Sequence, residues 1–256
     1  MIKESSSYNA PLVYKIFSIL DEVAKNPSLL GISDLSRILN ISKSTVYGIT
    51  KALIEIGILR QKPETKKFRL GPSLIHLGNQ ALGGVDLRTV AKPLMEEITR
   101  QFGETIFLGI FDKQGITIID KCNSPMELKI SSPVGTRIPL LAGATGKVFL
   151  AGLEETVVNK LLKEKTLPKF TENSITDPVK YHKEIQNVRR MGYATDFEEY
   201  IRGVNAICTP IPNSWGWPAT ALWMVGFSQS LTKEKISMAT TALIQAAIEI
   251  SETLGN

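Results

Sequence analysis

The sequence predicts an α+β fold with two domains, a helical N-terminal domain and a larger domain with a largely antiparallel sheet. Apolar residues recur at three- and four-residue steps through the first third of the chain, as in short amphipathic helices. From Thr105 onward, strand-like stretches form two hairpin-rich blocks, with helical stretches between them and at the end. The chain has 256 residues, of which 43% are hydrophobic, and this suffices for two cores.

Composition excludes several classes of protein. No apolar run approaches the roughly 20 residues of a membrane span, and the N-terminus MIKESSSYNA lacks the apolar core of a signal peptide. Cys122 and Cys208 are too few for a disulfide framework, and neither belongs to a CxxC motif. We therefore expect a cytoplasmic protein with no membrane contact.

The N-terminal domain is predicted to begin after a mobile polar tail, residues 1–9, and to extend over residues 10–72. Its first helix starts at Pro11 and ends near Asn26. One side of this helix carries Leu12, Val13, Ile16, Phe17, Leu20 and Val23. Such a stripe usually packs into a core, and a partner subunit is the less common alternative.

The stretch from Ser33 to Gly71 predicts two short helices, a tight turn and a basic hairpin. Ser33 and Ser42 are the predicted N-caps, and Gly57 ends the second helix. The stripe predicted to be buried on that helix is Val46, Ile49, Leu53 and Ile56. The side chains predicted to point outward are Lys43, Ser44, Thr45, Tyr47, Thr50 and Lys51.

A helix with this outer face can lie in a DNA major groove, where hydroxyls contact bases or phosphates and lysines neutralise backbone charge. Strands Ile58–Gln61 and Lys67–Leu70 flank a basic turn, which suits a wing against phosphates. The predicted DNA-binding residues are Ser42, Lys43, Ser44, Thr45, Tyr47, Lys51, Lys62, Lys66, Lys67 and Arg69. The alternative is a structural helical hairpin with a solvated charged loop.

The distribution of charge favours the DNA-binding interpretation. Residues 1–84 contain 11 Lys and Arg against 6 Asp and Glu, whereas residues 85–256 contain 19 of each. The whole net charge of +5 therefore lies in the first third of the chain. Affinity for phosphate depends on such local charge, so a nucleic-acid-binding head on a neutral body is the simplest account.

Residues 73–91 predict a helical linker, in which Gly83-Gly84 is either a hinge or a helix end. Pro93 then kinks the following helix or opens a new one. The strands predicted in the second domain, residues 92–256, are Thr105–Phe111, Ile116–Lys121, Glu127–Ser131, Gly192–Glu199, Val204–Ile211 and Thr220–Phe227. Helices are predicted at VFLAGL, from about Glu154, and over Lys233–Leu254.

The segment Gly143–Lys147 has the letters of a phosphate-binding loop but fails its pattern. That pattern requires glycine at position 141 and Ser or Thr at 148, where this chain has Leu141 and Val148. Small residues that open a helix still expose backbone N–H groups, which attract anions. The functional interpretation is a cradle for a ligand carboxylate, to which Thr145 adds a hydroxyl. The alternative is tight packing of a helix start.

Four stretches together resemble the IclR family of bacterial transcriptional regulators over essentially the whole chain. They are Pro63–Gly71, Pro139–Ala151, Arg190–Glu199 and Gly203–Pro210. The resemblance implies a winged helix–turn–helix, a linker helix, and a GAF-like α/β domain for effector binding and oligomerisation. It also implies homodimers or homotetramers that bind double-stranded operator DNA under the control of a small-molecule effector, as a repressor or an activator.

Matched residue by residue, the resemblance places the effector pocket at Ile130, Ala144, Thr145, Asp196, Ala206, Trp223 and Val225. The chain departs from the family pattern, since Ala206 stands where a cysteine is common and Leu141 replaces a usual histidine. An indole and aliphatic side chains make the predicted pocket apolar. We therefore expect an aromatic or otherwise apolar organic acid in preference to one of two or three carbons. The alternative is that Trp223 points into the core.

Asp196 and Glu198 are predicted on one face of a strand, and paired carboxylates can carry out acid–base chemistry. Nothing else in the sequence supports catalysis: His76 and His182 fit surface positions, Cys208 fits inert packing, and no cofactor or metal site is indicated. Asp196 is better interpreted as an acceptor for an effector hydroxyl. The leading hypothesis is thus a non-enzymatic, effector-controlled DNA-binding regulator. The alternative is a small-molecule-binding or enzymatic GAF-like protein with a basic interaction head.

Overall fold

The computed structural model describes residues 10–81, 87–112, 115–164, 166–213 and 220–254. The chain divides into two compact units, Met1–Gly84 and Val85–Asn256. The predicted tail of residues 1–9 and the Gly83-Gly84 pair lie outside the described residues, as do two residues of the predicted turn 112–115. The division between the units falls within the predicted linker, whose ends at residues 73 and 91 stay predictions.

The N-terminal unit consists of helices and one short hairpin. Its elements are α1 (Pro11–Lys25), α2 (Ile32–Leu39), α3 (Lys43–Glu55), β1 (Leu59–Gln61), β2 (Phe68–Leu70) and α4 (Ser73–Ala81). Ser42 caps α3 as predicted, because its Oγ accepts the N–H of Thr45 over 3.2 Å. The core of the unit includes Ile19, Leu35, Val46, Leu59 and Phe68, all buried.

Three local predictions for this unit are wrong. Helix α2 is capped at Gly31 instead of Ser33, and the Asp34 carboxylate accepts the N–H of Gly31 over 2.9 Å. Thr50 is buried, and its hydroxyl donates to the carbonyl of Val46 over 2.8 Å. Ile56 is 63% exposed, because α3 ends at Glu55 and Gly57, at φ +73°, turns the chain away from the core.

The C-terminal unit is built on a six-stranded antiparallel sheet in the order β5-β4-β3-β8-β7-β6. Its strands are β3 (Thr105–Asp112), β4 (Gly115–Cys122), β5 (Arg137–Pro139), β6 (Ala194–Phe197), β7 (Val204–Pro210) and β8 (Thr220–Phe227). Its helices are α5 (Leu87–Phe102), α6 (Gly143–Ala151), α7 (Glu155–Glu164), α8 (Pro178–Met191) and α9 (Lys233–Thr253). Helix α5 continues through Pro93.

Helices cover both faces of this sheet. Helices α5 and α9 pack on each other and on strands β3, β4, β7 and β8, whereas α6 and α8 pack on β6 and β7. Because strand side chains alternate between faces, alternate residues of β3 and β8 join the core under α6, α7 and α8. Those residues include Phe107, Trp223 and Val225. The sheet therefore presents one row of side chains to the start of α6, where the predicted pocket lies.

Two predictions for the C-terminal unit are wrong. Residues 127–131 form no strand, and the edge strand is Arg137–Pro139, which pairs antiparallel with β4. Leu128 is 76% exposed and Ile130 packs against the core only in part, so the segment has no continuous buried face. Glu198 lies beyond the end of β6 at φ +60°, and its carboxylate accepts the N–H of Gly203 over 2.7 Å. It is therefore not paired with Asp196.

None of the helices within the described ranges is long and apolar enough to cross a membrane.

Candidate DNA-binding surface and ligand cavity

The outer face of α3 presents hydroxyls and cations to solvent. Lys43, Ser44, Tyr47 and Lys51 are exposed, and Thr45 is half-buried. The cap residue Ser42 lies 3.0 Å from the Ser44 hydroxyl and 2.8 Å from the Thr45 hydroxyl. The N-terminus of the helix thus carries three clustered hydroxyls, and the lysines flank them. This arrangement can contact phosphates and base edges together.

The hairpin β1–β2 carries the remaining predicted cations. Lys62, Lys66 and Arg69 are exposed. The hairpin tip is closed by hydrogen bonds of 2.9 Å, from the N–H of Lys66 to the carbonyl of Lys62 and from the N–H of Lys62 to the carbonyl of Lys67. Lys62 and Lys66 therefore lie on a hydrogen-bonded turn, and Arg69 lies on strand β2 after it.

Lys67 differs from the other predicted cations, because it already has a partner within the protein. Its Nζ lies 2.5 Å from Oδ2 of Asp34 on α2. This hydrogen bond, together with one from the N–H of Gly31, holds the pKa of the Asp34 carboxyl below its usual range. Lys67 thus ties the hairpin to α2 and offers less charge to DNA than its neighbours.

A cavity of about 130 Å³ lies beside the sheet of the C-terminal unit. All seven residues predicted for the effector pocket line it: Ile130, Ala144, Thr145, Asp196, Ala206, Trp223 and Val225. Further lining residues are Phe107, Ile118, Ser132, Thr136, Arg137, Ile138, Ala142, Tyr200, Ile201 and Val204. The structure therefore brings the predicted pocket residues together, while their role in binding stays a prediction.

Neighbouring strands supply the apolar wall. Asp196 pairs with Ala206 across β6 and β7, and Ala206 pairs with Val225 across β7 and β8, so these three side chains form one row. Trp223 is buried and stacks on Phe107 with ring centroids 5.4 Å apart. Its indole belongs to the core, as the alternative predicts, and it also lines the cavity.

Gly109 makes room for that indole. A Cβ at this position would lie 2.8 Å from Cη2 of Trp223. Because Gly109 has no side chain, the Trp223 ring can lie close to strand β3.

The start of α6 forms the polar end of the cavity. Gly143 has a φ of +49°, and a Cβ there would collide with Oδ2 of Asp196, so only glycine fits. The amides of a first helical turn have no partner within the helix and can bind an anion. The Thr145 hydroxyl donates to the carbonyl of Ala142 over 3.0 Å. Thr145 can therefore accept a hydrogen bond from a ligand, but its proton is already used.

Asp196 is the buried acid of this site, with 5% of its surface exposed. Burial raises the pKa of its carboxyl to about 6, and the N–H of Glu199, which donates to Oδ1 over 2.6 Å, opposes the shift. An aspartate of this kind titrates closer to neutral pH than a solvated aspartate does.

Lys147 is the group that the sequence interpretation missed. It is 1% exposed, and its Nζ lies 2.6 Å from Oε1 of Glu199, 2.9 Å from the carbonyl of Thr195 and 3.6 Å from Oε2 of Glu184. A lysine in the otherwise apolar or small-residue helix GATGKVFLA was the signal for a buried ion pair.

The remaining candidates for chemistry are dispersed. His76 is exposed, and Nε2 of His182 lies 2.5 Å from Oε1 of Glu155 on α7. Cys208 is fully buried, and burial raises the pKa of its thiol well above the usual value. In the ranges that the structure covers, no three His, Cys, Asp or Glu residues form a group suited to a metal ion.

A winged helix–turn–helix and a helix-covered sheet with a lined cavity, joined in one chain, define the class of DNA-binding regulators with a ligand-binding domain. Residues 13–63 match the IclR helix–turn–helix domain, and residues 79–252 match the C-terminal domain of bacterial IclR transcriptional regulators. The chain belongs to the IclR family, and it is a DNA-binding transcription regulator.

Curated relatives match nearly the whole chain. The regulator XynR of Escherichia coli is 31% identical over 243 residues, which cover 95% of this chain and 96% of XynR. The regulator KdgR of the same species is 32% identical over 243 residues, which cover 95% of this chain and 92% of KdgR. Both are HTH-type transcriptional regulators.

Solved structures show the same fold. A putative IclR regulator from Silicibacter sp. TM1040 matches with a TM-score of 0.83 at 24% identity, covering 96% of each chain. The IclR protein of Thermotoga maritima is 31% identical with a TM-score of 0.63, covering 95% of this chain and 98% of that one. An IclR homologue from Microbacterium hydrocarbonoxydans, crystallised with 4-hydroxybenzoate, is 23% identical with a TM-score of 0.72, covering 95% and 99%.

Proposed function

We propose that this regulator reads operator DNA with α3 and the hairpin β1–β2, and that a one-ring aromatic or similarly apolar acid in the cavity controls this binding. The working form is a homodimer or homotetramer, the site of action is the cytoplasm, and the chain catalyses no reaction of its own. The single observation that carries the ligand class is the wall of Trp223, Phe107 and Val225 around one small cavity.

Cavity size and wall chemistry both support a compact ligand. A cavity of roughly 150 Å³ lined by apolar side chains can hold a benzene ring, and the cavity here is about 130 Å³. Burying apolar surface contributes roughly 25 cal/mol per Å², so a ring against the indole gains several times more than a methyl group. A ring therefore adds affinity that pyruvate or glyoxylate cannot obtain from this wall.

A structural relative gives this proposal a chemical precedent. The Microbacterium homologue was crystallised with 4-hydroxybenzoate, which has one aromatic ring and one carboxylate. We extend this ligand class to the present chain because its cavity has an aromatic wall and a helix N-terminus at its polar end.

The proposal is tested by isothermal titration calorimetry with benzoate, 4-hydroxybenzoate, phenylacetate, pyruvate and glyoxylate. At least one aromatic acid is expected to bind more tightly than both keto acids and to alter the mobility shift of DNA from beside the protein's own gene. Binding is also expected to change tryptophan fluorescence through Trp223, and Trp223→Phe should abolish that change.

Trp215→Phe and Trp217→Phe are the comparison variants, because each removes one of the other two tryptophans and leaves Trp223 in place. Tighter binding of pyruvate than of every aromatic acid would overturn the ligand class. A fluorescence change that survives Trp223→Phe unaltered would place the ligand elsewhere.

A further inference from the structure

We infer that an acid ligand enters this cavity together with one proton, which Asp196 holds and shares with the ligand's carboxylate. This inference rests on the proposed function, because it specifies how the same cavity receives an acid. No covalent bond between ligand and protein forms or breaks. The proton comes from solvent, resides on Asp196, and makes an O–H···O hydrogen bond to the bound carboxylate.

The first argument is the position of Asp196. Its Oδ2 lies against Gly143 at the start of α6, and Asp196 lines the cavity together with Ala144 and Thr145. A ligand carboxylate that reaches the first-turn amides of α6 must therefore approach the Asp196 carboxyl. Two carboxylates that share a buried site cannot both remain ionised, so one of them takes a proton.

The second argument is that Lys147, the buried cation whose charge acts on Asp196, already faces other carboxylates. Lys147 on α6 contacts Glu199 at 2.6 Å and Glu184 on α8 at 3.6 Å. One ammonium thus faces two carboxylates before Asp196 is counted. A further anion beside Asp196 would add negative charge to a cluster that already has an excess of it.

Among the described residues near Asp196 on other elements, Ala206, Tyr181 and Tyr200 are uncharged. Ala206, its partner on β7, is apolar. Tyr181 on α8 is neutral, because burial, and then the charges of Glu199 and Asp196, raise the pKa of its hydroxyl. Burial also raises the pKa of the hydroxyl of Tyr200, which lines the cavity.

Arg137 on β5 also lines the cavity, but its side chain is solvent-exposed and already makes an interaction of its own. Solvent screens such an exposed charge. Its attraction for a carboxylate in the cavity is weakened accordingly.

The third argument is that the proton is available at modest cost. The pKa of the Asp196 carboxyl, raised by burial to about 6, leaves roughly a tenth of the molecules protonated at pH 7. The negative charge of a bound acid favours the protonated form further. The Thr145 hydroxyl cannot take this role, because its proton is directed to the carbonyl of Ala142.

The pH dependence of affinity distinguishes a protonated Asp196 in the complex from an ionised one. If ionised Asp196 accepted a hydrogen bond from a ligand hydroxyl, binding would strengthen or stay constant as pH rises. If Asp196 carries a proton to a ligand carboxylate, the observed affinity falls about tenfold per pH unit above about pH 7, because each complex requires one proton that is increasingly scarce.

The test is calorimetry on the full chain with the tightest-binding aromatic acid of the panel above. Titrations at pH 7.5 in phosphate and in Tris, whose ionisation enthalpies differ, count the protons taken up on binding. We expect an uptake of about one proton with the acid and about none with the corresponding neutral amide, together with a roughly tenfold loss of affinity from pH 7 to pH 8.

Asp196→Asn removes the titration and keeps an oxygen that can accept from the N–H of Glu199. We expect the variant to take up no proton and to bind the acid with nearly constant affinity between pH 6 and pH 8. A raised folded-state pKa means that ionised Asp196 lowers stability as pH rises from about 4 to about 6, so the neutral asparagine should not unfold the protein.

Glu198→Gln is the matched control, because that carboxylate bonds to Gly203 and does not line the cavity. It should keep the proton uptake of the wild type. An acid that binds the wild type without proton uptake overturns the inference and leaves the proposed function intact. If no aromatic acid binds at all, the proposed function fails, and this inference fails with it.

Discussion

The buried charge of Lys147 contributes to the stability of the C-terminal unit through its ion pair with Glu199. Removing one partner of a buried ion pair leaves the other unpaired and costs about 3 kcal/mol. We predict that Lys147→Met lowers the free energy of unfolding by about that much, since Glu199 is left with 13% of its side chain exposed. Urea denaturation followed by tryptophan fluorescence measures this unit, because all three tryptophans lie beyond residue 214.

The double variant Lys147→Met with Glu199→Gln is the control for this prediction. Its second substitution replaces the unpaired carboxylate by a neutral amide, so the double variant should recover part of the stability that Lys147→Met loses. If Lys147→Met had the same urea midpoint as the wild type, the ion pair would contribute nothing to stability.

Single positions were predictable where strand alternation and the family resemblance agreed. Asp196, Ala206, Trp223 and Val225 lie on one cavity wall because paired strands place such residues in rows. The contact between Asp196 and Gly143 was not predictable, since it joins positions far apart in sequence. Neither helical periodicity nor motif spacing reports such a long-range approach.

We predict that helix α3 and the hairpin β1–β2 make different contributions to DNA binding. Base contacts distinguish sequences, whereas phosphate contacts do not. We predict that Tyr47→Ala or Thr45→Ala reduces the free energy of binding to the operator by about 1–3 kcal/mol and reduces binding to random DNA less.

Lys62→Ala with Lys66→Ala should weaken binding to the operator and to random DNA equally. It should also reduce the slope of log affinity against log salt concentration by about two. Fluorescence anisotropy at several salt concentrations measures all of these quantities.

Lys67→Ala is the informative comparison within the hairpin. Because Lys67 pairs with Asp34, its loss should also loosen the tie between the hairpin and α2, and so lower stability as well as affinity. Operator affinities equal to that of the wild type in all of these variants would contradict the assignment of this surface.

Most elements were predictable, and the exceptions have physical causes. Caps and apolar stripes predicted α1, α3 and α9 closely. Residues 127–131 were misinterpreted as a strand because alternation alone does not ensure a continuous buried face. Ile130 packs against the core, whereas Leu128 is 76% exposed. The real edge strand, Arg137–Pro139, is only three residues long, too short to show a period.

In the whole molecule, the net positive charge and the exposed apolar side chains of α1 indicate two different kinds of interaction. The excess of positive charge lies in residues 1–84, which contain the IclR helix–turn–helix domain, whereas residues 85–256 are balanced. The N-terminal unit also exposes apolar side chains on one stripe of α1, namely Leu12, Val13 and Phe17. Contiguous exposed apolar surface of this kind marks an interaction site more often than a solvated face.

We predict that this stripe of α1 contributes to self-association, and that the assembly reads an imperfect palindrome. A monomer has one recognition helix. A two-fold dimer has two, which can bind two half-sites separated by about one helical turn of DNA or more. Phe17, 64% exposed, is the test position, because a glutamate there would put a charge into an apolar interface without disturbing the core.

Sedimentation of Phe17→Glu should show a smaller species than the wild type, and its operator affinity should fall at least about tenfold, since each complex then has to assemble on the DNA. Val179→Glu is the matched control: Val179 is 79% exposed on α8, and the same charge there should leave both measurements unchanged. A wild-type protein that is monomeric at micromolar concentration, or a footprint without internal symmetry, would contradict the prediction. A Phe17→Glu variant that keeps the wild-type mass would place the interface elsewhere on the chain.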